Sequence, residues 1–327
     1  MMADLTALEL CAGAGGQAIG LEEGGFEHVA LVEIETAPCN TLRLNRPAWN
    51  VIEADVRAVR GRDFRGIDLL AAGVPCPPFS IAGKRLGRDD DRDLFPEAIR
   101  LARESRPAAV ILENVPGFGS SRFASYRAEL KVELEALNYR VAWQVLQASD
   151  FGVSQLRPRF VLVALRPAAF RHFRFPGAAI NPMGVGDRLR ESMGANGWPG
   201  ANAWADRARG IAPTIVGGSK KHGGPDLGPT RAKRQWAAMG VDALGIADVP
   251  PGIDFPFEKS PRLTVGMVAR LQGFPETWQL WGRKTAAYRQ VGNAFPPPVA
   301  AAVAQAVNTA LRAARRAARI PALQKTA

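Results

Sequence analysis

Between residues 7 and 165 short apolar runs alternate with stretches of helical period, and no other feature of the chain restricts its fold as much. Candidate strands run from Ala7 to Cys11, His28 to Glu33, Ile67 to Ala71, Ala108 to Glu113, Arg140 to Gln147 and Arg159 to Leu165, with a shorter one from Asn50 to Ile52. Continuous apolar runs have no face to give to water. They predict a mostly parallel sheet covered on both sides, the doubly wound α/β arrangement. The last two candidates lie too close together for a helical crossover, so an antiparallel pair is expected at the sheet edge.

From about residue 172 to 260 the texture changes, with interspersed glycine and proline and few regular apolar periods. A second, smaller, loop-rich domain with its own small core is expected there. The division falls at 1–180 plus 271–327 for the first domain and 181–270 for the second. After Pro296-Pro297-Pro298, which suit the first turn of a helix, Val299, Val303, Val307 and Leu311 recur every four residues. That helix should pack back onto the first domain. Arg312, Arg315, Arg316 and Arg319 at its end suit its negative pole and read as a solvated basic end.

The chain of 327 residues carries a formal net charge of +11 and a pI near 10.2, a surface that attracts polyanions, nucleic acid first among them. A GC-rich coding sequence would also enrich arginine. No run approaches the roughly 18 apolar residues of a membrane span, and the start lacks the layout of a signal peptide. Cys11, Cys39 and Cys76 are widely spaced with no Cys-x-x-Cys pair, so neither a disulfide frame nor a metal site is indicated. A cytoplasmic protein is expected.

Three sites carry chemistry. The run ending at Ala72 leads into Gly73-Val74-Pro75-Cys76-Pro77-Pro78-Phe79-Ser80, where the prolines forbid helix and ladder alike and hold a thiol at the carboxyl end of a strand. A lone cysteine can also be a small buried apolar residue. Cys11-Ala12-Gly13-Ala14-Gly15-Gly16 follows the first strand and lets the backbone approach a nucleotide, with Glu33 and Glu35 placed to accept from ribose hydroxyls and Asp55 to accept an adenine amino group. An acidic rim with no neighbouring Lys or Arg suits a sulfonium cofactor better than a pyrophosphate. Glu113 ends another strand at the same sheet edge as Cys76, and Gln155, Arg157 and Arg159 alternate so that two guanidinium groups share one side. A thiolate attacking cytosine C6, with a carboxyl sharing its proton with N3, makes C5 nucleophilic enough to take a methyl group.

These residues, with Glu113-Asn114-Val115, Gln155-Leu156-Arg157-Pro158-Arg159 and Gly292-Asn293-Ala294-Phe295-Pro296, resemble the ordered motifs of bacterial DNA cytosine-5 methyltransferases from about residue 7 to 311. The resemblance implies the S-adenosylmethionine-dependent methyltransferase fold. Cys76 is then the nucleophile, Glu113 the N3 partner, and Arg157 and Arg159 hold base and thiolate. S-adenosylmethionine would lie against Cys11, Ala12, Gly13, Gly15, Gly16, Glu33, Ile34, Asp55, Val56, Pro75 and Asn293. The family usually has an aromatic residue where this chain has Cys11, which leaves more of the adenine contact to Ile34. A mobile lid over the DNA is expected from Ser80 to Asp93, with Ser80, Lys84 and Arg85 on the DNA. In the second domain Lys220, Lys221, Arg231, Lys233 and Arg234 are the expected contacts to phosphates and guanine edges, hence a GC-containing site. Double-stranded DNA is the implied partner, met by a monomer, with any cognate restriction endonuclease acting separately. Methylation of a structured RNA is the alternative chemistry, but the Cys-Phe-Thr tripeptide of that branch is missing. A DNA-binding regulator without turnover and a dinucleotide oxidoreductase are the remaining readings.

Overall fold

The computed structural model describes residues 4–75, 93–178, 180–217 and 225–319. Cys76, Ser80, Lys84, Arg85, Lys220 and Lys221 lie outside them. In chain order the first part runs β1 (Leu5–Leu10), α1 (Gly16–Glu23), β2 (Phe26–Glu33), α2 (Thr36–Asn45), β3 (Val51–Glu53), β4 (Leu69–Gly73), α3 (Phe95–Ser105), β5 (Ala109–Asn114), α4 (Ala124–Ala136), β6 (Arg140–Gln147), β7 (Pro158–Leu165) and α5 (Pro167–Phe170). Then come α6 (Val185–Gly194), α7 (Ala201–Arg207), α8 (Thr230–Ala238), α9 (Val265–Leu271), α10 (Lys284–Asn293) and α11 (Pro297–Arg319).

The strands form one seven-stranded sheet in the order β3-β2-β1-β4-β5-β7-β6, parallel except for β7. Alternation along each strand serves two cores. Leu8 and Leu10 of β1 join Val32, Leu70, Val110 and Leu162 on one face. Leu5 and Ala7 join Leu69, Ile111, Val163 and the Val299, Val303 and Val307 stripe of α11 on the other. The pair β6/β7 does lie at the edge, but β7 is slotted between β5 and β6. Its burial explains the placement, since every residue after Pro158 is buried whereas β6 is largely open to solvent. A strand apolar on both faces needs neighbours on both sides.

Helix α11 returns to the first part as expected and lies against α1. There Gly20 and Gly24 leave room for Ala300 and Ala304, because a Cβ on either glycine would come within 2.4 and 2.3 Å of those alanine methyls. Its basic end is engaged, with Arg315 paired to Asp68 and Arg312 donating to Asn308 at 2.7 Å.

The second part contains more helix than its glycine content suggested. Val185, Leu189 and Met193 recur every four residues in α6 and bury against Trp204 and Trp236. That core continues into Ala12, Ala18, Ile19, Leu31 and Leu42 of the first part. Glycine here also serves close packing. A Cβ on Gly186 would stand 1.9 Å from the Ala205 carbonyl oxygen, so α6 and α7 touch backbone to backbone. Gly186→Ala should therefore cost about 1–3 kcal/mol in urea unfolding, whereas Gly177→Ala, with nothing within 4 Å of its added methyl, should be neutral.

Candidate active site

The strand order reverses between β1 and β4, and the crevice at their carboxyl ends is where an open α/β sheet takes its ligand. The chain leaves β1 through a turn with left-handed backbone at Cys11 (φ 53°), Gly13 (φ 52°) and Gly15 (φ 88°), then enters α1. Glu33 holds that turn. Its Oε2 accepts from Gly13 N at 2.8 Å, while Oε1 accepts from Ile34 N and Glu35 N, both at 2.8 Å. Burial pushes the Glu33 carboxyl up and the three N–H groups pull it back. Gly16 abuts the loop before α11, since a Cβ there would meet the Phe295 carbonyl oxygen at 2.2 Å.

A cavity of about 660 Å³ opens over the turn. Cys11, Ala12, Gly13, Gly16, Glu33, Ile34, Asp55, Val56, Pro75 and Asn293 line it, as do Glu113, Arg157 and Arg159. Gly15 does not. Its missing side chain makes room instead for Leu42 and Trp278, each 2.8 Å from where a Cβ would be. The acidic rim is less bare than the sequence suggested. Asp55 accepts from Arg57 N at 2.9 Å and from its guanidinium at 3.0 Å, which holds the carboxyl below its usual range, and Glu35 pairs with Arg289 at 3.2 Å. Arg289 arrives from α10, more than two hundred residues along the chain, so no local pattern announced it.

Glu113 ends β5 opposite Gly73 of β4, and Arg159 Nε lies 2.8 Å from its Oε1 in an almost fully buried ion pair. Desolvation outweighs the two arginines and raises the Glu113 carboxyl above its ordinary range. Arg157 behaves differently from the paired role expected of it. Its Nη1 donates to the Ile215 carbonyl, and its Nη2 to Gly292 O at 2.6 Å and Ala294 O at 3.0 Å. The neighbouring Gln155 accepts from Ile215 N at 2.8 Å. The guanidinium ties the 213–217 loop and the turn before α11 to the start of β7, so it shapes the cavity wall instead of facing into it alongside Arg159.

Burial raises the thiols of Cys11 and Cys39 to about 12 each, so both stay protonated near neutral pH. Pro75, the last described residue before Cys76, is on the cavity wall, and Val74 O accepts from Asn114 Nδ2 at 3.0 Å. The segment that carries the third cysteine thus leaves β4 at the rim of the same cavity. On α8, Arg231 and Arg234 are exposed, whereas Lys233 reaches back to Asp226 at 2.7 Å.

The family model for C-5 cytosine-specific DNA methylase matches residues 5–309. The chain belongs to that family. It is a DNA cytosine-5 methyltransferase, and attack of a cysteine on C6 of the base is characteristic of such enzymes. It is 53% identical over 308 residues to the Type II methyltransferase M.NaeI of Lentzea aerocolonigenes, covering 93% of this chain and 75% of that one. Identity is also 53% over 304 residues to the Type II methyltransferase M.NgoMIV of Neisseria gonorrhoeae, covering 92% and 96%. Among solved structures, DNMT2 of Spodoptera frugiperda superimposes with a TM-score of 0.67 over 93% of this chain and 99% of that one, at 19% identity, a likeness of fold.

Glu9 and Gln17, polar residues within an apolar strand and at the start of α1, also line the methyltransferase cavity. An acid inside a buried strand was the signal for the first. Burial, then the nearby Glu33, push the Glu9 carboxyl well above its ordinary range. A raised folded-state pKa contributes stability that is present below the unfolded value, roughly 4.3, and is lost as pH rises toward the folded one. Glu9→Gln removes that slope, so its melting temperature relative to wild type should rise between pH 5 and pH 8. In the cavity wall, Arg157→Lys should cost about 2–4 kcal/mol in urea unfolding, because an ammonium cannot reach three separated carbonyls.

Proposed function

We propose that the chain binds S-adenosylmethionine in the cavity over the glycine turn and methylates C5 of a cytosine flipped out of duplex DNA, with Cys76 as nucleophile. One observation carries this reading. A single cavity joins the turn held by Glu33 to the buried Glu113–Arg159 pair and to the chain entering Cys76. The residues suit the cofactor, since Gly13 leaves its Cβ position empty, Glu33 keeps lone pairs for ribose hydroxyls, and Ile34 is an exposed apolar face for adenine. The bound cofactor supplies an electrophilic methyl group on sulfur.

The protein's own part is proton and charge control. Glu113, held neutral by burial, hydrogen-bonds cytosine N3 and draws charge into the ring as the Cys76 thiolate forms the C6–S bond. Arg159 keeps that carboxyl in place, and a guanidinium near the base favours both the thiolate and the pyrimidine carbonyl. Once C5 carries the methyl group, loss of the C5 proton expels the thiolate and restores the ring. Arg231 and Arg234, exposed three residues apart on α8, suit guanine edges or phosphates, with Lys220, Lys221 and Lys233 beside them in sequence and Ser80, Lys84 and Arg85 on the 80–93 segment. The site read contains G·C pairs, the enzyme acts as a cytoplasmic monomer, and any restriction endonuclease with the same target acts separately.

Expression in a host followed by bisulfite sequencing of its plasmid should place 5-methylcytosine at one short recurring sequence. DNA with 5-fluorocytosine there should form an adduct stable to denaturation, because fluorine cannot leave C5 as the proton does. An adduct that persists in Cys76→Ala would remove that residue from its role. Glu113→Gln should slow methyl transfer about 10²- to 10⁴-fold with DNA affinity nearly unchanged, and equal losses in both would make the residue structural.

A further inference from the structure

The polar groups of the cavity account for one another almost completely. Asp55 is engaged by Arg57, Glu35 by Arg289, Glu113 by Arg159, Glu33 by three backbone N–H groups, and the terminal nitrogens of Arg157 by three carbonyls. Two lining side chains stand outside this accounting. Glu9 is 0% exposed and Gln17 4%, and neither carboxylate oxygen nor either amide atom has a hydrogen-bond partner among the described residues. His28 Nδ1 comes within 4.0 Å of Glu9 Oε2 without bonding it. Unmade bonds of this kind cost about 1–3 kcal/mol each, so a cluster of them on a cavity wall marks the place where a ligand completes the set.

We infer that Glu9 and Gln17 form the subsite for a zwitterionic amino-acid group, the α-ammonium and α-carboxylate end of S-adenosylmethionine, an inference that rests on the cofactor reading above. The donor and acceptor count fits. Glu9 Oε1, Glu9 Oε2 and Gln17 Oε1 are three acceptors for the three N–H bonds of an ammonium, and Gln17 Nε2 is one donor for a carboxylate. Turning the amide over exchanges the places of its two atoms and leaves the count unchanged. Location fits as well. A Cβ on Gly73 would lie 3.9 Å from Gln17 Oε1 and 3.7 Å from Glu113 Oε2, so the amide and the N3 carboxyl look onto the same glycine-lined space. An arriving cation would also favour the ionised form of a carboxyl that burial otherwise keeps neutral.

The test compares two ligands by titration calorimetry on the full chain. S-adenosylhomocysteine has the amino-acid end, while 5′-methylthioadenosine has only the nucleoside and a thioether. Glu9→Gln and Gln17→Leu should each weaken S-adenosylhomocysteine at least tenfold, about 1.4 kcal/mol, and leave 5′-methylthioadenosine within twofold of wild type. Gln17→Glu, which keeps the acceptors and loses the donor, should lie between. Variants that melt cooperatively yet weaken both ligands alike, or weaken neither, overturn the subsite. A wild-type protein that binds neither ligand overturns the cofactor reading itself, a result separable from failure of the subsite.

Discussion

One guanidinium, that of Arg157, holds together parts of the chain that are far apart in sequence, and the shape of the site depends on it. It reaches the carbonyls of Ile215, Gly292 and Ala294 from the entrance of β7, while Gln155 beside it binds the same loop. Carbonyl oxygens stabilise a buried cation without neutralising it, and a planar fork can meet several of them at once. Around this clamp the loop at 213–217 crosses the turn before α11 so closely that a Cβ on Gly292 would stand 2.3 Å from Gly217 N. The far wall of the cavity is therefore made by the second part of the chain, and the near wall by the first.

Electrostatics sorts the cavity into functions. The carboxyls at its rim are charged and paired with arginines close to solvent, where such pairs contribute little stability and mainly set orientation. Deeper in, desolvation takes over. Glu113 is pushed toward its neutral form despite two arginines, Glu9 further still, and the thiols of Cys11 and Cys39 are held protonated. A methyl-transfer site needs this division, because a proton donor is of use only if the protein keeps its proton on, and stray thiolates would compete for the electrophilic methyl group.

Much of the frame was legible in the chain. Apolar runs placed the strands to within a few residues, the Val299 to Leu311 spacing placed the last helix, and the glycine turn with Glu33 marked the cavity. The ends of elements were less legible. Cys11 reads as the last residue of a strand yet adopts left-handed backbone beyond it, since the turn is imposed by Glu33 bonding to Gly13 N. In the second part, glycine that resembles loop sequence is glycine placed where α6 meets α7, and packing partners, not propensity, made the helices.

Strand count, the two-sided burial of the sheet, the proline-bounded cysteine and the ordered motifs were determined by the sequence itself, because side-chain period and backbone restriction are local properties. Which arginine meets which carboxyl was decided only by the tertiary structure. Arg289 and Glu35, Arg157 and Gly292, and the unpartnered Glu9 and Gln17 come together through the sheet's reversal between β1 and β4 and through the return of α10 and α11. Contacts between residues so distant along the chain leave no periodic trace in it, since they depend on where whole elements pack and not on the residues beside them.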